Sequence, residues 1–210
     1  MPNKGKHLRI ALMLLWLAGI IWGTRILVRY ENTPAQAARV SERWPIESKL
    51  SRSRGFPTLV ILAHPNCPCT RATIAELELI MAQLRGRIQT FVMFYKPGAN
   101  GTEVAGSDLW RKARSIPGVS VLYDRAGTET QLFGGRVSGQ TLLYSPEGKL
   151  VFSGGITSGR GHPGDNEGAD AVIRCVRRNG SEIAHSPVFG CSLHDPSRQA
   201  LKEDKSWTRE

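Results

Sequence analysis

The sequence predicts an α/β domain, a mixed sheet flanked by helices, preceded by one N-terminal transmembrane helix. Three observations carry the prediction. Thr58-Leu59-Val60-Ile61-Leu62-Ala63 is an unbroken apolar and β-branched run between Pro57 and Pro65, which reads as a buried strand. Strand and helix signals then alternate along the chain and close in a hairpin. Ahead of all this lies a long apolar stretch over residues 10–28.

That stretch follows Lys4, Lys6 and Arg9, and Arg25 is its one interruption. With Arg25 snorkelling to the interface, it is long enough to span a bilayer, and no small-x-small cleavage site directly follows it, so an uncleaved anchor is expected. The basic residues in front bias the N-terminus inward and the bulk of the chain outward. In a bacterium this means a single-pass inner-membrane protein with a periplasmic C-terminal domain, where cysteine pairs persist oxidised. The chain has 210 residues, 40% hydrophobic and 22% charged, which suits one domain plus accessory segments. Its net charge of +10 is scattered, with no basic helix interleaved with aromatics, so a nucleic-acid partner is not expected.

The expected organisation is a basic segment (1–9), the anchor (10–28), a linker (29–53), the domain (54–179) and a polar C-terminal tail (180–210). The linker carries Pro34 and Pro45, room for a short helix over 34–43, and Trp44 and Ile46 as its hydrophobic anchors. After the first strand, Leu77, Ile80, Met81 and Leu84 recur at helical spacing. A second strand covers 88–95, and 98–106 is a loop. Ser107-Asp108 caps a short helix that Pro117-Gly118 ends, a third strand covers 119–124, and 128–133 forms one or two helical turns. Residues 141–145 and 150–153 flank the turn Pro146-Glu147-Gly148-Lys149 as a hairpin, and a last helix runs over 167–178.

Two cysteines, Cys67 and Cys69, sit where the first strand gives way to its helix. The first turn of a helix offers unpaired N–H groups and the positive end of its dipole, which favour thiolate over thiol. With Cys67 at the N-cap, Pro68 takes the first helical position, where its missing N–H costs nothing. Cys67 is the candidate attacking thiolate and Cys69 the resolving one.

Strand, Cys-Pro-Cys and amphipathic helix together resemble the active-site corner of the thioredoxin-like superfamily, whose usual spacing places two residues between the cysteines. Only Pro68 stands between them here, and a disulfide closing so tight a ring is expected to be strained and oxidising. The resemblance spans roughly residues 54–179. The superfamily's usual cis-proline before the first hairpin strand is replaced by Ser138-Gly139-Gln140-Thr141. His64-Pro65-Asn66-Cys67-Pro68-Cys69-Thr70, with Gly154-Gly155-Ile156-Thr157 and Arg160-Gly161-His162, is similar to the membrane-anchored RedB-like branch.

The fold so implied brings the end of the last hairpin strand to the same pole as Cys67, so residues 154–166 are expected to overhang the cysteines. Arg160 or His162 there would lower a thiol pKa or move protons; His64 and Arg71 are further candidate auxiliary residues. Cys175 and Cys191 are expected to form a structural disulfide, the alternative being that Cys191 exchanges with the active pair.

The function expected is a membrane-tethered thiol-disulfide oxidoreductase acting on a protein thiol or disulfide partner outside the cytoplasm, without a cofactor. The alternative is a copper-binding or copper-delivery protein, with Cu(I) on Cys67 and Cys69 and with His64 or His162 completing the site. A redox-inactive binding domain is the third. Zinc fits less well, because two cysteines leave a tetrahedral set incomplete. A peroxidase fits less well too, because Thr70 follows the cysteines rather than preceding them.

Overall fold

The computed structural model describes residues 4–35, 39–96, 106–178 and 183–193. It divides into two units, residues 1–33 and 34–210.

The first unit is a single helix, α1 (Lys4–Glu31), of 28 residues. At 1.5 Å per residue it is about 42 Å long, more than the roughly 30 Å of a bilayer's hydrocarbon core. An 18-residue window within Gly5–Glu31 has a mean hydropathy of 1.9, so the helix is long and apolar enough to cross a membrane.

The second unit is built on β1 (Thr58–Ala63), every residue of which is buried. β1 lies inside a six-stranded sheet of order β3-β2-β1-β4-β5-β6. It pairs in parallel with β2 (Gln89–Lys96), and β2 with β3 (Val119–Arg125). On its other side it pairs antiparallel with β4 (Thr141–Tyr144), which forms the hairpin with β5 (Leu150–Gly154). The strand reads as a continuous apolar run because both faces of the sheet are covered. Leu59, Ile61 and Ala63 face a core completed by α2 (Pro68–Gln83), α3 (Asp108–Ser115) and α5 (Glu167–Arg178). Val60 and Leu62 face a second core with Met93, Phe133 and Tyr144, beside the short α4 (Thr128–Leu132). The Ser107 hydroxyl accepts the Trp110 N–H (3.2 Å), the cap expected of α3. The expected loop over 98–106 lies outside the described residues except for Gly106.

Two boundaries differ from the sequence reading, for the same reason. Residues 39–53 are not a tether but a packed strap. One turn of helix, α4, is too small to cover the second face of the sheet, and Trp44 and Leu50 complete it. Trp44 meets Phe133 and Tyr144 edge-on at 5.1 and 5.3 Å. Tyr144 Oη donates to Ser41 O (2.9 Å), Trp44 N to Gly148 O (2.8 Å) and Leu150 N to Glu42 O (2.8 Å). Ile46 does not anchor the segment, being 91% exposed. Of the helix expected over 34–43, residues 39–43 are not helical and 36–38 lie outside the described residues.

The first part of the expected tail belongs to the domain as well. β6 (Ala184–His185) adds a sixth strand parallel to β5, and Val188 and Leu193 are buried beyond it. Residues from 194 onward lie outside the described residues.

Candidate functional site

Cys67 occupies the N-cap of α2, with φ −105° and ψ 125°, and Pro68 opens the helix. The backbone therefore turns from strand to helix under the two sulfurs and directs N–H groups at them. Cys67 and Cys69 are 4% and 2% exposed. The Cys67 thiol is pushed down to about 4. The Cys69 S–H donates to it, the N–H groups of Thr70 and Cys69 and the Ser138 hydroxyl add to this, and burial works in the opposite direction. Cys69 is pushed up, first because its proton is held in that bond and then by burial and by the Cys67 charge. The two share one proton, and the negative charge rests on Cys67.

Ser138 stands where the resemblance placed a cis-proline, and it is fully buried. Its hydroxyl and that of Thr70 lie 2.7 Å apart, and both accept the His64 N–H at 3.1 Å. Gly139 follows with φ +86° and donates its N–H to Leu62 O (2.7 Å). The loop before β4 is thus tied to the end of β1 and to the first turn of α2, and one of the ties ends on Cys67.

The connection from β5 to α5 does overhang the cysteines. The Gly161 N–H reaches Cys69, and an added Cβ on Gly161 would stand 3.8 Å from Pro68 Cβ. Arg160 Nη1 donates to Gly190 O (2.6 Å). The loop is pinned from below by Glu76, a buried carboxylate on α2 that accepts Gly164 N (2.7 Å) and Asn166 Nδ2 (3.4 Å). Asn166 Oδ1 caps α5 through Ala169 N (2.8 Å).

The expected Cys175–Cys191 disulfide is not present; all four cysteines are free thiols. Cys175 donates to Val151 O (3.7 Å) and lines a cavity with Phe56, Pro57 and Pro146, at the pole where β1 and β5 begin. Helix α5 carries the chain down to that pole, and β6, parallel to β5, carries it back. Cys191 consequently emerges at the Cys67 pole. The sulfurs of Cys67, Cys69 and Cys191 all lie within 4.8 Å of one another. Burial, with the Cys67 charge after it, pushes the Cys191 thiol up, and the Arg160 charge counters them.

The other candidates are placed less centrally. His64 turns its ring toward Tyr95, with centroids 6.4 Å apart, and its Nδ1 accepts the Asn66 N–H (3.2 Å). His162 is exposed and closes a turn, its N–H donating to Gly159 O (3.3 Å) and its carbonyl accepting from the Ser158 hydroxyl (3.1 Å). Arg71 is exposed and lines a cleft of about 520 Å³ with Cys67, Asn66 and Asp108. Neither histidine belongs to the sulfur cluster; the donor set there is three thiols, which suits a soft, thiophilic ion better than zinc.

No family model and no curated protein sequence matches the chain. Among solved structures it is similar to a hypothetical protein from Sinorhizobium meliloti, at 15% identity and a TM-score of 0.58, over 77% of this chain and 97% of that one. It is also similar to an uncharacterized conserved protein from Geobacillus kaustophilus, at 12% identity and a TM-score of 0.54, over 79% and 92%. A secreted Mycobacterium tuberculosis disulfide oxidoreductase matches at 14% identity and a TM-score of 0.41, over 59% and 81%. The decisive feature is the sheet itself: three parallel strands linked through α2 and α3, then a hairpin whose first strand returns antiparallel beside β1. The fold is thioredoxin-like. Within this thioredoxin-like domain Cys67 and Cys69 stand at the helix start where the sequence placed them, and Cys191 lies beside them as its alternative reading allowed rather than against Cys175, whereas Ser138 and Glu76 were given no role from sequence. Gly190, directly before Cys191, was the one available signal, because a Cβ there would lie 1.8 Å from Ser138 O.

Proposed function

We propose that the chain is a membrane-tethered thiol-disulfide oxidoreductase of the RedB-like kind, held by α1 and working outside the cytoplasm on a protein partner. The observation that carries this reading is the placement of the Cys67 and Cys69 sulfurs within 4.8 Å of each other at the N-terminus of α2, where the Cys69 thiol, backbone N–H groups and the Ser138 hydroxyl lower the Cys67 pKa. The Cys67 thiolate attacks one sulfur of a partner disulfide, and the other partner sulfur leaves and takes up a proton. Forming that bond consumes the charge that held the Cys69 proton in place. Cys69 then loses its proton, attacks Cys67 and releases the second partner thiol, leaving a Cys67–Cys69 disulfide. Run in reverse, the same steps oxidise a partner dithiol.

The test is a redox titration of the full chain in detergent, in glutathione buffers, with acid quenching and mass mapping of the cysteines. The expected result is a Cys67–Cys69 disulfide that follows a two-electron dependence on the buffer. If these two residues stay reduced at every glutathione ratio, the oxidoreductase reading is wrong and a redox-inactive binding domain replaces it.

The three converging sulfurs favour copper as the second reading, with Cu(I) on Cys67, Cys69 and Cys191 in place of a site completed by His64 or His162. It expects one Cu(I) per chain that resists a competing chelator and is lost in Cys191→Ser. Retention of that ion in the serine variant removes this reading.

A further inference from the structure

Cys67 and Cys69 are almost wholly buried, whereas Cys191, whose sulfur joins theirs, belongs to an exposed residue. A folded partner therefore meets Cys191 before it meets the pair. The segment that presents Cys191 is not draped over the site but seated in it by main-chain bonds. Ser138 N donates to Cys191 O (2.9 Å), Leu193 N to Arg136 O (2.8 Å), and Val137 and Ser192 form an antiparallel bridge. Further back, Gly155 N donates to Pro187 O (3.2 Å). The backbones approach so closely that a Cβ on Gly155 would lie 2.6 Å from Pro187 O, and one on Gly190 1.8 Å from Ser138 O. Side chains are excluded at both points, so the seat is specific to an extended strand with glycine at 190. The strand is laid along the residues that stand in for the missing proline, with its cysteine over the nucleophile.

We propose that Cys191 is a third redox-active thiol, which takes the disulfide from Cys67–Cys69 by exchange within the chain and hands it to the partner. This deepens the oxidoreductase reading and rests on it. In the oxidised protein, Cys191 gives up its proton and attacks Cys67; the Cys67–Cys191 bond forms, the Cys67–Cys69 bond breaks, and Cys69 leaves and takes up the proton. No electrons are gained or lost in that step. The first thiolate of a partner dithiol then attacks Cys191, with Cys67 as leaving thiolate. The partner's second thiolate resolves the mixed disulfide and releases Cys191. In total the partner loses two electrons and two protons; the chain gains the two electrons and one proton, held between Cys67 and Cys69, and the other proton goes to solvent. Each step is reversible, so the same route carries reducing equivalents outward.

Because the exchange within the chain is redox-neutral, the two disulfide forms must keep a fixed ratio whatever the poise of the buffer. The full chain, carrying Cys175→Ser to remove the unrelated thiol, is equilibrated with glutathione, quenched in acid and mapped by mass spectrometry. Cys67–Cys69 and Cys67–Cys191 peptides are both expected, in a ratio constant to within about twofold while the glutathione ratio is varied about 100-fold. A Cys69→Ser variant is expected to trap the Cys67–Cys191 disulfide within one chain. Cys191→Ser is expected to slow the oxidation of a peptide dithiol by about tenfold or more. If the wild type forms Cys67–Cys69 alone and Cys69→Ser yields only a glutathione adduct on Cys67, with Cys191 still open to alkylation, the relay is overturned and the oxidoreductase reading stands. If no disulfide reaches Cys67 in any form, both fall together.

Discussion

Cys67 and Cys175 both lie on helices packed against one face of the sheet, and they meet opposite fates. At the Cys67 pole the sulfur faces donors: the Cys69 thiol, two backbone N–H groups and the Ser138 hydroxyl, which together outweigh burial and draw the pKa to about 4. At the other pole Cys175 sits inside α5, where the helix has already used its N–H groups, and its thiol can only give its proton to the Val151 carbonyl. Burial then acts with little opposition and pushes its pKa up. Helix and residue type are common to both, and burial is the greater at Cys67; what separates a lowered pKa from a raised one is that Cys67 meets donors, the Cys69 S–H first and peptide N–H groups after it, whereas Cys175 meets a carbonyl.

Four measurements test the contrast between the two poles. Cys67→Ser is expected to reduce disulfide exchange with a model peptide by about 1000-fold or more, whereas Cys175→Ser stays within about twofold. A comparable loss in both would mean that the second pole takes part in the chemistry.

The pH dependence of alkylation separates the two poles less widely. A folded pKa of about 4, below that of an ordinary thiol, keeps Cys67 ionised as pH falls from 9, and its rate declines tenfold per unit only below about pH 4. Cys175, with its pKa raised, loses thiolate over the whole of that range. At pH 6 Cys67 is almost wholly thiolate and Cys175 almost wholly thiol, but the less basic thiolate is intrinsically the weaker nucleophile, which offsets part of the advantage of Cys67. Parallel pH profiles for the two residues would refute the assignment of the charge.

Ser138→Ala removes one donor from Cys67 and is expected to raise its pKa by up to about one unit, on the order of 1 kcal/mol, read from thiolate absorbance; Cys175 alkylation should not change. The smallest effect is expected from Glu76→Gln. An amide oxygen still accepts from Gly164 N, so the loss is below about 1 kcal/mol, visible as faster hydrogen exchange at Gly161 and Gly164 rather than as a lower melting temperature.

Much of the domain was legible because the signals were local. The two-sided burial of β1 is written in six consecutive apolar or β-branched residues, and Pro146-Glu147-Gly148 marks the hairpin turn, where Gly148 has φ +82°. The Cys-Pro-Cys turn was legible because proline and a following amphipathic helix define a helix start. The strap over 39–53 was not, because Trp44 and Leu50 cover a face without periodicity, and Ile46, equally apolar, points away. The seat of Cys191 left still less trace. It is made of main-chain bonds, which carry no residue signature, and a parallel return through two-residue β6 is too short to show a pattern.

Those bonds from Arg136, Ser138 and Gly155 read backbone and not side chains. Any extended peptide slim enough at one position could lie in the same groove. Its competitor is covalently attached, which sets an effective concentration for the resident strand on the order of millimolar. A free peptide at cellular abundance is outcompeted at such a concentration, so the groove admits only visitors that contribute contacts beyond it or exchange with the sulfur already on display.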